Sequence, residues 1–230
     1  MKIISWNCGG AFRKKFHQLL NLEADILVVQ ECENPLSIQI ESYKEFLSIY
    51  PFQKWQGTYS YKGLGIFSKN PLEILPWEKH LLTHFIPVSV ECVDRERFKL
   101  LAVWACGSYI EEYAIYQDIH FDKYSKDMIL IGDFNSNKKW DNKARLLNGR
   151  SHSNVITKLK EISLVSAYHY VSNEEHGEET VNTFYFQYNR NKGYHIDYCF
   201  VSKDKIKSFS ILSFDEWLKH SDHLPIVLEI

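Results

Sequence analysis

The chain has 230 residues, 45% of them hydrophobic, and a formal net charge of −2. That is apolar material for one sizeable core, which predicts a single domain over residues 1–230, and it excludes a general attraction of the whole molecule to polyanions. Contact with nucleic acid would rely on local clusters such as Arg13-Lys14-Lys15, Lys138-Lys139 and Arg190-Asn191-Lys192, residues that suit an ordinary solvated surface equally well. The five cysteines, Cys8, Cys32, Cys92, Cys106 and Cys199, are odd in number and show no C-x-x-C spacing, which argues against a disulfide framework and against a zinc site. A reducing, cytoplasmic setting fits them best. No run approaches the length of a membrane span, and Met1 leads directly into Lys2-Ile3-Ile4-Ser5-Trp6-Asn7 without the apolar core of a signal peptide.

Lys2 to Trp6 is β-branched and aromatic and stops at Asn7-Cys8-Gly9-Gly10, so a strand should deliver Asn7 to its carboxyl end. Phe12, Phe16, Leu19 and Leu20 then recur at helical spacing among basic residues, which predicts an amphipathic helix on a sheet. Ala24 to Glu31 reads as a second buried strand, ending in a carboxylate. Two strands finishing in groups that can ligand a metal is suggestive, although polar residues often cap strands. From Cys32 to Gln56 the pattern is weak, a helical turn followed by irregular chain. Lys62 to Ser68 is a strand whose glycines could admit close backbone approach. Ile86 to Val93 and Phe98 to Trp104 look like antiparallel neighbours joined by the charged turn Asp94-Arg95-Glu96-Arg97, and Tyr109 to Phe121 is helical, with Ile110, Tyr113, Ala114 and Gln117 on successive turns.

The stretch Ile129 to Asn137 (Ile-Leu-Ile-Gly-Asp-Phe-Asn-Ser-Asn) is the focus of the pattern, because an apolar run stops abruptly at a glycine and two oxygen-bearing side chains. A buried strand there should bring Asp133 and Asn135 to one rim, where a carboxylate beside a carboxamide can hold a water or a metal against a phosphate. An Asx-turn closing the strand accounts for the same residues. Asn137 to Arg145 reads as a polar, basic loop, either facing phosphate or simply exposed. Ser153 to Ile162 is a helix with Ser153 as candidate cap, and Ser172 to Glu179 an acidic loop. Strands return at Thr183 to Phe186, His195 to Ser202, Ser208 to Phe214 and Pro225 to Ile230.

Two late motifs carry further chemistry. His195-Ile196-Asp197 opens one strand and Ser221-Asp222-His223 precedes the last. A carboxylate accepting a hydrogen bond from an imidazole fixes its tautomer and raises its basicity, and an imidazole held in this way can donate to a phosphate oxygen. Taken singly, each histidine suits a structural role, as do His17, His80, His84, His120, His152, His169, His176 and His220.

Trp6-Asn7, Gln30-Glu31, Gly132-Asp133-Phe134-Asn135, His195-Ile196-Asp197-Tyr198 and Ser221-Asp222-His223 together resemble, in order and approximate spacing, the endonuclease/exonuclease/phosphatase superfamily over nearly the whole chain. The resemblance implies a four-layered α/β sandwich of two mixed, largely antiparallel sheets with helices outside. It also implies metal-assisted phosphoester hydrolysis at one rim. On that pattern Glu31 would ligate Mg²⁺ or Mn²⁺, with Asn7 supporting the metal or the phosphate and Asp222 adding a metal contact. Asp133 would orient or deprotonate the attacking water, and Asn135 would hold it in line. His223 would donate to a non-bridging oxygen, oriented by Asp197. Tyr109 resembles the active-site tyrosine of the exonuclease III branch, whose phenol contacts phosphate, and a surface or core tyrosine is the alternative.

Two departures stand out. Gly9 occupies a place where members that cleave abasic DNA carry an acid, and Trp104-Ala105-Cys106-Gly107-Ser108-Tyr109 lacks the histidine that many other members have before the middle helix. The resulting expectation is a nuclease acting on DNA without a membrane partner. The alternative is a phosphatase or phosphodiesterase acting on a small-molecule or lipid head-group phosphoester, and a catalytically silent binding module is the third reading.

Overall fold

The computed structural model describes residues 1–77, 82–92 and 96–230. In chain order the strands are β1 (Lys2–Asn7), β2 (Ile26–Cys32), β3 (Phe52–Tyr59), β4 (Lys62–Ser68), β5 (Leu72–Ile74), β6 (Phe85–Glu91), β7 (Arg97–Trp104), β8 (Met128–Asp133), β9 (Val165–Ser166), β10 (Phe184–Tyr185), β11 (Gly193–Tyr194), β12 (Asp197–Val201), β13 (Ser208–Ile211) and β14 (Ile226–Glu229). The helices are α1 (His17–Leu20), α2 (Glu41–Ile49), α3 (Ile110–His120), α4 (Lys143–Leu147), α5 (His152–Glu161), α6 (Ala167–Ser172) and α7 (Phe214–Trp217). Two six-stranded sheets result, ordered β13-β14-β1-β2-β4-β3 and β5-β6-β7-β8-β12-β9, with β10 and β11 as a separate ribbon. Each sheet holds one parallel pair, β1 with β2 and β7 with β8, among antiparallel neighbours. The mixed two-sheet α/β sandwich expected from the motifs is therefore the fold.

Three apolar clusters separate the four layers. Between the sheets, Ile3, Val28 and Ile66 of one meet Val88, Leu100, Ile129 and Ile131 of the other. Phe12, Phe16, Tyr43, Phe46 and Trp217 cover the outside of the first sheet, and Tyr113, Tyr116, Val155 and Leu159 cover the second. Strands buried on both faces read as unbroken apolar runs, which explains Ile129-Leu130-Ile131. Each such side chain contributes about 1.5–3 kcal/mol when fully buried, so the strand ends are held by a stiff frame.

Topology then gathers the polar ends. β1, β2, β7 and β8 all run toward the same rim, while β12, β14 and β4 run antiparallel and begin there. Asn7, Glu31, Asp133, Asp197 and Lys62 therefore lie at one edge for reasons of strand direction alone, and the loop carrying His223 enters from the start of β14.

Local structure departs from expectation in several places. The helix expected over Phe12 to Leu20 is broken into a 3₁₀ turn at Phe12–Lys14 and the four-residue α1, following a left-handed Ala11. Phe12 and Phe16 still face the core, packed edge-on against Tyr43 and tilted against Phe46 and Phe67, so ring packing overrides helical continuity. The segment from Cys32 to Gln56 is more regular than its pattern. It holds α2, whose Tyr43 and Phe46 sit three apart on the buried face, and most of the half-exposed edge strand β3. Asn137 to Arg145 is not simply a loop: Asn137 and Asn142 cap a 3₁₀ turn at Lys138–Trp140 and helix α4 through their side chains. The cap of α5 is Ser151, in a reciprocal capping box with Asn154, whereas Ser153 hydrogen-bonds Asp141. The short helices α6 and α7 lacked a readable period. Within the charged turn after β6, Asp94 lies outside the described residues together with Val93 and Arg95, as does His80.

Glycines in β4 behave as expected. A Cβ at Gly63 would stand 2.5 Å from the Gln56 carbonyl oxygen, and one at Gly65 2.8 Å from Cys32 Sγ.

Candidate active site

Asp133 closes β8 directly opposite Asp197 of β12 in the antiparallel register, so two carboxylates face each other across one ladder step. Both are buried, Asp133 completely. Gly132, just before Asp133, has φ +149°, and a Cβ there would come within 1.9 Å of the Val103 carbonyl oxygen, so only glycine lets β8 close against β7 at this point.

Asp133 accepts three hydrogen bonds. Asn7 Nδ2 donates at 3.0 Å, Asn135 N at 2.8 Å and Asn135 Nδ2 at 3.0 Å. The bond from Asn135 N makes an Asx-turn, so the turn reading and the site reading of Gly-Asp-Phe-Asn are both true. Asn135 lies beyond the strand in left-handed backbone, φ 47°, and it meets Asp133 through that turn rather than through strand alternation.

His223 Nδ1 donates to Asp197, 2.9 Å from Oδ2 and 3.2 Å from Oδ1, which leaves Nε2 for the pocket that His223 lines. Trp6 Nε1 donates to the His223 carbonyl at 3.0 Å, and Ser221 Oγ to the Asn7 carbonyl at 2.7 Å. Those two bonds moor the late Ser-Asp-His loop to the first strand. On the far side, Thr183 Oγ1 accepts from the backbone N–H of both Ile196 and Asp197 at 3.0 Å.

Glu31 reaches the pocket by a β-bulge. The β2–β4 register shifts between Gln30 and Cys32, and Glu31 sits at φ 63° outside the ladder. A bulge re-aims a side chain, here one that would otherwise follow the pleat. The Glu31 carboxylate lies 2.9 Å from Lys62 Nζ and 3.5 Å from Asn7 Nδ2.

These groups line one open pocket of about 420 Å³ together with Gly9, Trp104, Cys106, Tyr109, Phe184, Tyr188 and Asp222. Of the candidate site residues, Asn7, Glu31, Tyr109, Asp133, Asn135, Asp222 and His223 border it, and Asp197 stands directly behind His223. Tyr109 is on the pocket wall, half-exposed, at the start of α3 with φ 54° and ψ −132°. A non-glycine residue held there costs on the order of 1–3 kcal/mol, a strain that recurs at functional sites. Lys62 was not singled out from the sequence. Its position at the head of a strand antiparallel to β2 is the signal that places it at the rim. A cleft of about 750 Å³ lined by residues that include Met1, Asp25, Arg97, Asp204, Lys205 and Ile230 is larger but lies at the opposite strand ends, away from the motif residues.

Electrostatics set the two central groups apart. Burial first, then the facing Asp197, pushes the Asp133 carboxyl up to about 7. Burial alone would lower the His223 pKa, but the Asp197 carboxylate, helped by Asp133 and Asp222, raises it to about 9. Near pH 8 the arrangement therefore offers a carboxylate base beside an imidazolium donor, a separation of roles suited to general base and electrostatic work.

Several cations named from the sequence are engaged elsewhere. Arg13 pairs with Glu33, Arg145 with Glu111 at 2.8 Å, and Arg190 with Asp215 while lying over Phe214. The cysteines offer little chemistry here: Cys8, Cys32 and Cys199 are buried, and burial pushes the Cys8 thiol up to about 12.

The constellation matches a known family. Residues 4–223 fit the profile described as the Endonuclease/Exonuclease/phosphatase family. The chain belongs to that family. Among curated protein sequences none matches. Among solved structures, the chain is similar to NExo, a 3′ phosphatase from Neisseria bound to product DNA hairpin, at 19% identity and a TM-score of 0.69, covering 100% of this chain and 99% of that one. It is also similar to an AP endonuclease from Archaeoglobus fulgidus, at 16% identity and TM-score 0.71, with 99% and 98% of the two chains covered. TDP2 from D. rerio, complexed with single-strand DNA product, follows at 16% identity and TM-score 0.61, covering 99% and 97%. Identities this low bear on the fold, which these family structures share with the chain end to end. No helix among the described residues is long and apolar enough to cross a membrane.

Proposed function

We propose that residues 1–230 act as one catalytic domain, a divalent-metal-dependent hydrolase of phosphodiester bonds whose substrate is DNA. The carrying observation is the buried Asp133–Asp197–His223 group, in which Asp133 and His223 border one pocket while Asp197 holds His223 Nδ1 at 2.9 Å. Asp133 takes the proton of the attacking water, and Asn135, hydrogen-bonded to it, fixes that water's direction. His223 Nε2 donates to a non-bridging phosphate oxygen while Asp197 holds the ring, and the Tyr109 phenol and the Lys62 ammonium lie where further phosphate oxygens would approach. Asn7 donates to both Asp133 and Glu31 and so sets the spacing of base and metal carboxylates.

The donor set suits Mg²⁺ or Mn²⁺. Glu31 and Asp222 present partly exposed carboxylates to an open pocket, and Mg²⁺ binds through one or two carboxylates while keeping several waters. The Lys62 ammonium now pairs with Glu31 at 2.9 Å and would turn toward the phosphate when an ion takes that carboxylate. When bound, the ion would neutralise phosphate charge as a Lewis acid. A Cβ at Gly9 would stand 3.2 Å from Ser221 Oγ and 3.7 Å from Asp222 Oδ1, so the acid lacking at this position would have joined Asp222.

Glu31→Gln should raise the Mg²⁺ concentration for half-maximal activity by at least about tenfold with little change in melting temperature. An unaltered metal titration would remove Glu31 from the ion site. The pH profile follows from the two shifts: kcat/KM declines below about pH 7 as Asp133 takes up a proton, and above about pH 9 as His223 loses one. A rate that stays level up to about pH 10 would show that the imidazolium is not used.

Lys138 and Lys139 are the exposed lysines nearest the Asp133 loop in sequence. Replacing both by Ala should flatten the slope of log K against log salt for DNA binding by about two. An unchanged slope assigns them to plain surface. Substrate class is decided by incubating the protein and Mg²⁺ with plasmid, single-stranded DNA, abasic duplex, RNA and inositol phosphates. Metal-dependent cleavage of a DNA arm is expected, and release of phosphate from inositol phosphates with DNA untouched would overturn the nuclease reading.

A further inference from the structure

Behind the catalytic rim lies a second polar cluster with no part in the hydrolysis outlined above. His169 on α6 and His176 and Glu179 in the loop that follows place one ligand atom each within 4.8 Å of one another. His169 Nε2 is 3.2 Å from Glu179 Oε1, and His176 Nδ1 is 3.3 Å from His152 Nε2 on α5. Ligands bonded to Zn²⁺ at about 2.0–2.2 Å in a tetrahedron lie roughly 3.3–3.6 Å from each other, so both pairs already have about the spacing of a coordination edge, and the stacked His169 and His176 rings, 3.6 Å apart between centroids, would turn to converge on one ion.

The outward atoms of the same residues are held in place. Ser166 Oγ lies 2.8 Å from His169 Nδ1, Ser136 Oγ 3.1 Å from His152 Nδ1, and Glu179 Oε2 accepts from Asn137 Nδ2 at 3.0 Å, while Glu179 Oε1, the oxygen nearest His169, also accepts from Gly177 N at 2.9 Å. For His169 and His152 these partners sit on the far side of the ring, which is how metal ligands are usually oriented. A fourth histidine, His195, lies 5.8 Å from the His169 ring between centroids, and its buried Nε2 has no hydrogen-bond partner.

We propose that His169, His176 and Glu179, with His152 beside them as the source of a fourth ligand, form a structural Zn²⁺ site. Nitrogen donors with one carboxylate suit zinc better than Mg²⁺ or Ca²⁺, which prefer all-oxygen shells. Entry is through a cavity of about 150 Å³ lined by His152, His176, Lys138, Lys160 and Glu175. The ion would clamp the 173–183 loop to α5 and α6. Through Asn137, which donates to both Glu179 and the His195 carbonyl, it would also stiffen the backbone entering Asp197. The cysteine spacing carried no hint of this site because its donors are histidines and a glutamate spread over three segments.

The test counts metal and uses no activity, so it stands apart from the phosphodiesterase reading. The EDTA-treated protein is given Zn²⁺, desalted and assayed for bound metal, in the full chain carrying Glu31→Gln and Asp133→Asn to silence the catalytic pocket. One Zn²⁺ per chain should remain, and Zn²⁺ should raise Tm by roughly 5 °C. Adding His169→Gln or His176→Gln should abolish both. If those variants do not fold, the Co²⁺-loaded parent decides: ligand-field bands of a four-coordinate nitrogen/oxygen site support the proposal. No retained Zn²⁺, or retention that survives His169→Gln and His176→Gln in a folded chain, overturns it in favour of a polar core.

Discussion

Asp133→Asn should lower kcat on DNA by roughly a thousandfold while KM changes little, the loss expected when a general base is removed but the pocket survives. Three donors point at this carboxylate, and an amide cannot satisfy them all. If its oxygen keeps the bonds from Asn7 and Asn135 side chains, its amino group faces the Asn135 N–H that now donates at 2.8 Å. A lost buried acceptor costs about 1–3 kcal/mol. Against that, the substitution removes the repulsion between Asp133 and Asp197 that helps raise the carboxyl pKa. Melting temperature should therefore shift by only a few degrees, and the kinetic defect should greatly exceed any folding defect. Activity retained within about tenfold would mean that Asp133 is an acceptor for Asn7 and Asn135 and nothing more.

Gly132→Ala should be the more damaging of two neighbouring changes, through the fold. The new Cβ would overlap the Val103 carbonyl at 1.9 Å, and φ +149° is closed to alanine. Relief requires β7 and β8 to part where they support Trp104 and Asp133. A cost of at least about 3 kcal/mol is expected, which for a domain of this size lowers Tm by roughly 6–12 °C, and activity should fall with it. A melting temperature within about 3 °C of the parent would show that the strand ends are looser than described.

Much of this was legible in the residues because the chemistry sits at strand ends. A buried strand announces itself by an apolar run, and its end is where polar groups reach the rim, so Asn7, Glu31 and Asp133 could be named from sequence, while Asp197 and His223 were named from the His-Ile-Asp and Ser-Asp-His motifs. The bulge that turns Glu31 into the pocket could not, since it depends on how β2 pairs with β4. Lys62 was missed for the same reason: a lysine opening a strand looks like any exposed charge until the antiparallel direction is known. The split of the first helix and the ordering of α2 were decided by ring packing among Phe12, Phe16, Tyr43 and Phe46, which a one-dimensional period does not encode. The basic clusters stayed open between phosphate contact and plain surface, because the sequence does not show that Arg13, Arg145 and Arg190 pair with carboxylates far away in the chain. The histidine cluster escaped notice for the opposite reason: each imidazole, taken singly, looked structural.

The most direct test of the account is a crystal soaked with Mn²⁺ and a deoxynucleoside monophosphate, with the ion located by anomalous scattering. An ion bound to Glu31 in the pocket, and a phosphate within hydrogen-bonding reach of His223 Nε2 and Asn135, is the predicted result. A phosphate bound away from Asp133 and His223, or an ion with no contact to Glu31, would contradict it.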